Sequence, residues 1–187
     1  MAPADLLTSD LPVVLLSHRG PVGFDVDPRT GERVLDRGAG GLVTALSGLA
    51  GHLDEAVWVC VAAGGEDAVV AEEVGDAPLR LALDGEPRLL ADGDPAEREV
   101  AVRLVPVAPE VHEPFYGVIA NPLLWFVQHR LHDLKSSPSI GRVERAAFEE
   151  GYVVANELAA EAVVQQVEKV GGQALVLLHD YHFYLVG

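Results

Sequence analysis

The hydrophobic residues of this chain are gathered into short unbroken runs, each followed by polar or glycine-rich sequence. Such runs occur at residues 11–17, 56–62 and 174–178, and a further strand is predicted at 100–107. Continuous apolar runs of this length are typical of parallel strands that are buried on both faces of a sheet. The pattern therefore predicts four buried strands.

Apolar residues recur at helical spacing in three other segments. These are residues 42–53, about 121–134 and about 143–170, and Gly171-Gly172 gives the last segment a usual helix end. Strands that alternate with helices in this way predict an α/β fold with a mainly parallel sheet. No internal repeat or linker divides the chain, so a single domain is expected.

Two segments lack a strong period. Residues 22–37 carry turn-forming Asp, Pro and Gly and are predicted to form a loop or a hairpin. Residues 66–100 are acidic and broken by Gly and Pro, and they predict a short helix with one or two weak strands. A solvated surface is the preferred interpretation of the acidic segment.

Charge and composition limit the classes of partner. The 187 residues carry a formal net charge of −16, which argues against binding to nucleic acid or to an anionic membrane. No apolar run reaches the length of a bilayer span, and the first ten residues are not expected to be a signal peptide. Cys60 has no partner for an internal disulfide, so it is predicted to fill the core of a cytoplasmic protein.

Polar residues follow the first predicted strand as Ser17-His18-Arg19. In open α/β sheets, ligands bind beyond the carboxyl ends of the strands. An arginine placed there is able to hold a carboxylate or phosphate through two parallel hydrogen bonds. By itself, Arg19 is equally well explained as a surface residue of a loop.

A glycine-rich loop, Gly38 to Gly41, precedes the predicted helix at 42–53. Glycines let a ligand approach the backbone, and the start of a helix offers free amides to phosphate. Val43 occupies the third glycine position of the dinucleotide-binding fingerprint, and no Gly-Lys-Ser/Thr follows, so neither common phosphate-binding motif is present. A plain turn would explain the glycines equally well.

The sequence His179-Asp180-Tyr181-His182 follows the last predicted strand. Asp180 is suited to accept hydrogen bonds from sugar hydroxyls. The pairs His179/His182 and His129/His132 have spacings that would allow both histidines to bind one metal ion. No third ligand is indicated, however, and ordinary hydrogen bonding explains these histidines as well. No serine or cysteine nucleophile is supported, because Gly-x-Ser-x-Gly is missing and Cys60 is predicted to be buried.

Taken in order, these motifs resemble the trehalose-6-phosphate synthases. The resemblance spans roughly residue 13 to the end, except the acidic segment. It is to the actinobacterial type of these enzymes. Its motifs are Ser17-His18-Arg19, Gly40-Gly41-Leu42-Val43-Thr44-Ala45-Leu46, Phe115-Tyr116, Asn121-Pro122-Leu123-Leu124-Trp125 and His179-Asp180-Tyr181-His182.

The resemblance implies a retaining glycosyltransferase with two Rossmann-like domains, the GT-B architecture. Residues 1–187 would be a truncated N-terminal, acceptor-side domain of three layers, without the C-terminal nucleotide-sugar domain. The enzymes transfer glucose from a nucleotide sugar to glucose 6-phosphate in trehalose biosynthesis, without a metal or other cofactor. The chain alone is therefore expected to be inactive; the donor nucleotide and a homo-oligomeric state stay open.

Site residues carry over from the family by position. Arg19, Tyr116 and Trp125 would bind the acceptor phosphate, and Gly40 and Gly41 the donor diphosphate. Asp180 would bind a sugar ring, and no catalytic residue or metal ligand falls within this chain.

Two departures from the family pattern leave the acceptor open. His18 stands where the family usually has asparagine, and Val61 stands where some members have a tryptophan that lines the acceptor site. Related enzymes couple cyclitols, so the product could instead be a pseudo-disaccharide. The sequence is also compatible with a non-catalytic module that binds a sugar phosphate or a partner, and with an unrelated nucleotide-binding domain.

Overall fold

A computed structural model of the protein describes residues 11–50, 53, 56–83, 85–96, 99–131, 138 and 140–187. Their main feature is a sheet of six strands, accompanied by a separate two-stranded hairpin. The strands are β1 Val13–Ser17, β2 Val22–Val26, β3 Arg33–Arg37, β4 Ala56–Ala62, β5 Leu79–Ala82, β6 Arg88–Leu89, β7 Glu99–Pro106 and β8 Leu175–Leu178.

The main sheet has the order β6-β5-β7-β4-β1-β8. Strands β8, β1, β4 and β7 run parallel, whereas β5 and β6 add an antiparallel margin. The predicted α/β class with a mainly parallel sheet is therefore confirmed. Strands β2 and β3 form the hairpin that was one of the two predictions for residues 22–37.

Helices cover both faces of this sheet and complete three layers. None of the described helices is both long and apolar enough to cross a bilayer. The helical segments are α1 Gly41–Ala50, α2 Gly65–Val74, α3 Pro109–His112, a first π-helical segment Glu113–Leu124, α4 Trp125–Gln128, α5 Arg142–Ala147, a second π-helical segment Phe148–Val153, α6 Val154–Lys169 and a 3₁₀ turn Tyr181–Phe183.

Strand β1 shows how one apolar run serves two cores. Val13 and Leu15 face the core formed with α1, α2 and the hairpin, whereas Val14 and Leu16 face the π-helical segments and α6. Side chains of a strand alternate between the two faces of a sheet, so a strand covered on both sides has to be apolar at every position. All five residues of β1 are buried.

The helix predicted from about residue 121 begins much earlier, at Pro109. Pro114 and Pro122 argue against a helix, since each lies inside the helical run that begins at Pro109 and lacks an N–H to donate within it. Buried side chains on the same segment, including Phe115 and Ile119, hold it against the sheet. The predicted end of this helix, residues 132–134, lies outside the described residues, as do Ser136, Ser137 and Ser139.

The two π-helical segments pack closely at Gly151. A Cβ atom built on Gly151 would lie 2.5 Å from the amide nitrogen of Phe115 and 2.9 Å from the carbonyl carbon of Pro114. These neighbours are backbone atoms, which cannot move aside without shifting the helix that carries Tyr116. Because glycine has no Cβ atom, it allows the two segments to approach this closely.

We predict that Gly151→Ala destabilises the protein by about 1–3 kcal/mol, because the added methyl overlaps main-chain atoms. Urea denaturation followed by circular dichroism measures the loss. Gly48→Ala in α1 is the matched control: its Cβ meets nothing within 4 Å, and alanine there should stabilise the helix by about 0.5–1 kcal/mol. An equal change in the free energy of unfolding for both variants would contradict the close packing at Gly151.

Candidate functional site

The candidate site lies at the carboxyl ends of β1, β4 and β8, where two cavities adjoin. The first cavity, of about 210 Å³, includes Arg19, Gly40, Gly41, Tyr116, Asp180 and His182 in its wall. The second, of about 320 Å³, includes Arg19, Gly38, Val61, Asp67 and His112. Because His18 and Arg19 line both cavities, the loop that follows β1 forms the partition between them.

Buried hydrogen bonds fix this loop to the sheet. The indole Nε1 of Trp58 donates to Ser17 Oγ at 2.7 Å, and the Ser17 hydroxyl donates to the carbonyl of Arg19 at 2.7 Å. The Arg19 side chain is exposed, and within the described residues no carboxylate or carbonyl accepts a hydrogen bond from its guanidinium. Arg19 lines both cavities, so its guanidinium donors are available there to a ligand.

Helix α1 begins in the wall of the first cavity. Gly40 has φ of 118°, a conformation that favours glycine, and Gly41 opens the helix. A Cβ atom built on Gly41 meets nothing within 4 Å, and the first turn contains no acidic residue. No side chain therefore obstructs an anion at Gly41, and the phosphate role of the glycine-rich loop stays a prediction.

Asp180 occupies a strained backbone position beside the cavity. Its φ of 75° and ψ of 170° lie in a region that glycine normally occupies, and its Oδ1 accepts from the amide of Tyr181 at 2.8 Å. Strain of this kind persists only where surrounding contacts enforce it, and it is common at functional sites.

Two buried residues of the long helical run enforce that turn. The Tyr152 hydroxyl donates to the carbonyl of Tyr181 at 2.6 Å, and Asn156 Nδ2 donates to the carbonyl of His182 at 3.0 Å. The amide of Leu185 donates to Asn156 Oδ1 at 3.1 Å. Main-chain groups after β8 are therefore paired, which keeps Asp180 in the cavity wall.

Tyr116 belongs to a cluster of nearly parallel rings. Its ring centroid lies 4.3 Å from that of His18, with 9° between the planes, and 5.4 Å from that of His112. His182 stacks on His18 at 5.0 Å. His18 Nε2 and His112 Nε2 are 3.0 Å apart, a hydrogen-bond distance.

Burial keeps these imidazoles neutral. It lowers the pKa of His18 to about 3, an effect to which the neighbouring His182, His112 and Arg19 also contribute. It likewise lowers the pKa of His112. The pKa of His182 falls to about 4 through burial, although the Asp180 carboxylate 3.7 Å away opposes the shift. At neutral pH the contact between His182 and Asp180 is therefore not an ion pair.

The second cavity contains one carboxyl group and one thiol. Asp67 Oδ1 accepts from the amide of Phe24 at 2.6 Å, which ties the hairpin to α2. Burial raises the pKa of Asp67, while the Phe24 hydrogen bond opposes this. Burial also raises the pKa of Cys60 to about 12, so the thiol is unreactive, in agreement with its predicted role as core filler.

Trp125 is placed apart from the other predicted site residues. It lines neither cavity, its side chain is 41% exposed, and its ring packs against His129 with centroids 4.7 Å apart. His129 Nδ1 bonds to the Trp125 carbonyl at 2.7 Å. His132 lies outside the described residues, and the residues that the structure describes contain no group of three His, Cys, Asp or Glu suited to a metal ion.

Sequence reasoning missed three contributors: His112, Tyr152 and Asn156. Asn156 has a signal, because it is a polar residue among the apolar positions of a long helix and is only 1% exposed. His112 precedes Tyr116 by one helical turn, but nothing in the sequence brings it to His18. That contact depends on how the helix meets the end of β1.

The family model described as glycosyltransferase family 20 matches residues 12–187. The chain belongs to glycosyltransferase family 20. The resemblance to this family is thereby confirmed, whereas its actinobacterial type stays a prediction. The match includes the acidic segment, which carried none of the motifs. No curated protein sequence matches the chain significantly.

One solved structure similar to this family 20 chain is described as trehalose-6-phosphate from E. coli bound with UDP-2-fluoro glucose. The two share 20% sequence identity with a TM-score of 0.49, and the match covers 91% of this chain. The chain spans 28% of the length of that structure's chain.

The neutral histidines predict that stability depends on pH. The pKa of His18 is lower in the folded protein than its ordinary value of 6.5, so the unfolded state binds more protons below that pH. The unfolding free energy should therefore decrease as the pH falls from 6.5 towards 3, by up to about 1.4 kcal/mol per pH unit for this histidine.

Urea denaturation at about pH 7.5 and about pH 5 measures this dependence. The variant His18→Asn should show a smaller loss over the same interval. Asp67 contributes a change of the opposite sign in both proteins, since its pKa is raised, and it cancels in the comparison. An identical loss in both proteins would show that His18 is not held neutral by the fold.

Proposed function

We propose that the protein containing this chain transfers glucose from a nucleotide sugar to glucose 6-phosphate, and that this chain forms the acceptor side. The observation that carries the proposal is one cavity, within a family 20 chain, that joins Arg19, Gly40–Gly41, Tyr116 and Asp180 from four distant parts of the sequence. The product would be trehalose 6-phosphate.

The acceptor phosphate is assigned to Arg19 and Tyr116. A phosphate dianion in a protein of net charge −16 requires a local cation, and among the described residues Arg19 is the only arginine or lysine in the walls of the two cavities. Its planar guanidinium matches two phosphate oxygens. The phenol hydroxyl of Tyr116 adds a neutral donor. Trp125 would reach the phosphate only if its side chain turned towards the cavity.

The donor diphosphate is assigned to Gly40 and Gly41. A helix start free of acidic residues presents backbone amides and a partial positive charge. The missing side chains let the phosphates approach the main chain. Asp180, in the wall of the same cavity, would accept hydrogen bonds from hydroxyls of a sugar ring.

In the proposed retaining transfer, the leaving phosphate takes the proton of the attacking acceptor hydroxyl. The glycosidic bond to the phosphate breaks, and the bond to the acceptor oxygen forms on the same face of the sugar. The chain's own contribution is to orient the acceptor and to hold charge, which is a substantial part of catalysis in a closed site. No metal is required in this scheme, and a second domain would supply the remaining donor contacts.

A cyclitol acceptor is the second candidate, and Val61 is the observation that favours it. Val61 and Ala63 are small residues in the wall of the 320 Å³ cavity that adjoins Arg19. That space is available to an acceptor whose ring differs from glucose. Comparing glucose 6-phosphate with a phosphorylated cyclitol as acceptors in the full-length enzyme decides between them.

We predict that Arg19→Ala in the full-length enzyme weakens acceptor binding by about 3 kcal/mol, or about a hundredfold in KM, through loss of charged hydrogen bonds to the phosphate. Steady-state kinetics with varied glucose 6-phosphate measures the change. The KM for the nucleotide sugar should change little.

Arg19→Lys is the matched control, because it keeps the charge but loses the paired geometry of the guanidinium. Its acceptor KM should lie between those of the wild type and Arg19→Ala. An unchanged acceptor KM and kcat/KM in Arg19→Ala would remove Arg19 from the phosphate site.

We further predict that Gly41→Ala weakens donor binding without loss of stability. In the unliganded protein the added Cβ contacts nothing within 4 Å, and alanine is favoured over glycine in a helix. A diphosphate against the amide would collide with that methyl group, so the KM of the nucleotide sugar should rise by about tenfold or more, as for the loss of one good hydrogen bond.

Thermal unfolding and donor KM are measured on the same Gly41→Ala preparation. Gly48→Ala, further along α1 at a residue that lines neither of the two cavities, should leave the donor KM unchanged. A normal donor KM in Gly41→Ala would place the diphosphate elsewhere.

A further inference from the structure

His18 and His112 form a contact that the proposed reaction does not use directly. Their Nε2 atoms are 3.0 Å apart, and their ring planes differ by 22°. His18 follows β1, while His112 ends α3, so the contact joins the end of a strand to the start of the helix that carries Tyr116. The His18 carbonyl accepts from the amide of Val61 at 3.2 Å, which anchors that side of the pair to the sheet.

A hydrogen bond between two imidazole nitrogens requires one donor and one acceptor. If both rings are neutral, one must carry its proton on Nε2 and the other on Nδ1. Burial disfavours the imidazolium form of each ring. The charged neighbours are Arg19, which disfavours protonation of His18, and Glu113, which favours it at His112.

Both imidazoles lie nearly parallel to the Tyr116 ring. The angle between planes is 9° for His18 and 15° for His112. The other faces of the cluster are closed by Phe115 and His182, whose ring centroids lie 5.8 Å and 5.0 Å from that of His18. A change in the orientation of His18 would therefore alter the surface on which Tyr116 rests.

We propose that His18 and His112 are a neutral, hydrogen-bonded imidazole pair that positions the Tyr116 ring for the phosphate of the acceptor. The inference rests on the proposed function for the role of Tyr116. Both histidines are positioning residues, since they act through Tyr116.

The protonation states are tested in the unaltered full-length protein labelled with ¹⁵N-histidine. His18→Asn and His112→Phe assign the resonances. The expected result near pH 7 is two neutral rings of opposite tautomer, one protonated on Nε2 and the other on Nδ1. An imidazolium at either position, or the same tautomer at both, would overturn the pair. This readout needs no substrate, so it stands or fails independently of the proposed reaction.

The positioning role is tested by a double-mutant cycle between His112→Phe and Tyr116→Phe. His112→Phe retains a ring beside Tyr116 but removes the hydrogen bond. We expect it to raise the KM of the phosphorylated acceptor by about tenfold and to change kcat and the donor KM by less than about twofold. In the Tyr116→Phe background, which already lacks the hydroxyl, the same substitution should have almost no further effect.

Glu110→Gln, on the exposed side of α3, is the control and should leave all constants unchanged. Additive effects of His112→Phe and Tyr116→Phe, or an equal rise in the donor KM, would show that His112 acts through general structure and would overturn the positioning role. If the wild-type enzyme transferred no sugar to any phosphorylated acceptor, the proposed function would fail while the tautomer result remained.

Discussion

Parallel pairing of β1 with both β4 and β8 is the constraint on which the site depends. The register places Ser17 beside Cys60 and Leu16 beside Leu178. The carboxyl ends of the three strands therefore lie at the same edge of the sheet, where Arg19 and Asp180 follow β1 and β8 and Val61 lies near the end of β4. Because Ser17 at the end of β1 accepts a hydrogen bond from the buried indole of Trp58, a shift of the β1 register would break this bond and displace Arg19 relative to β4 and β8.

Among the described residues that line the two cavities, Arg19 is the only arginine or lysine, and it lies near a cluster of stacked aromatic and imidazole rings. A protonated His18 beside Arg19 would add positive charge for a phosphate, but burial makes that form unfavourable. Arg19 itself is exposed, so its guanidinium stays accessible to the proposed phosphate. Charge-assisted hydrogen bonds are stronger than neutral ones, so the proposed phosphate would depend mainly on this arginine.

The sequence predicted those features that depend on local patterns. The strand at Ala56–Ala62 was predicted with its observed bounds, because an apolar run between polar residues leaves little choice of register or length. Arg19 and Asp180 follow the ends of β1 and β8, and the glycine-rich loop precedes α1. The parallel topology brings all three to the same edge of the sheet. The helix from Pro109 was predicted too late, since Pro114 and Pro122 suggest breaks that tertiary packing overrides.

Side-chain directions and contacts between distant segments could not be predicted in the same way. Trp125 follows Tyr116 on one helical run, yet its ring lies on His129 and outside both cavities, because the helix geometry between them decides which face it occupies. His112 belongs to none of the motifs recognised in the sequence. Its importance arises only when the end of β1 places another imidazole 3.0 Å away. A hydrogen bond between two neutral rings at that distance fixes the tautomer of each, and both rings stack on that of Tyr116.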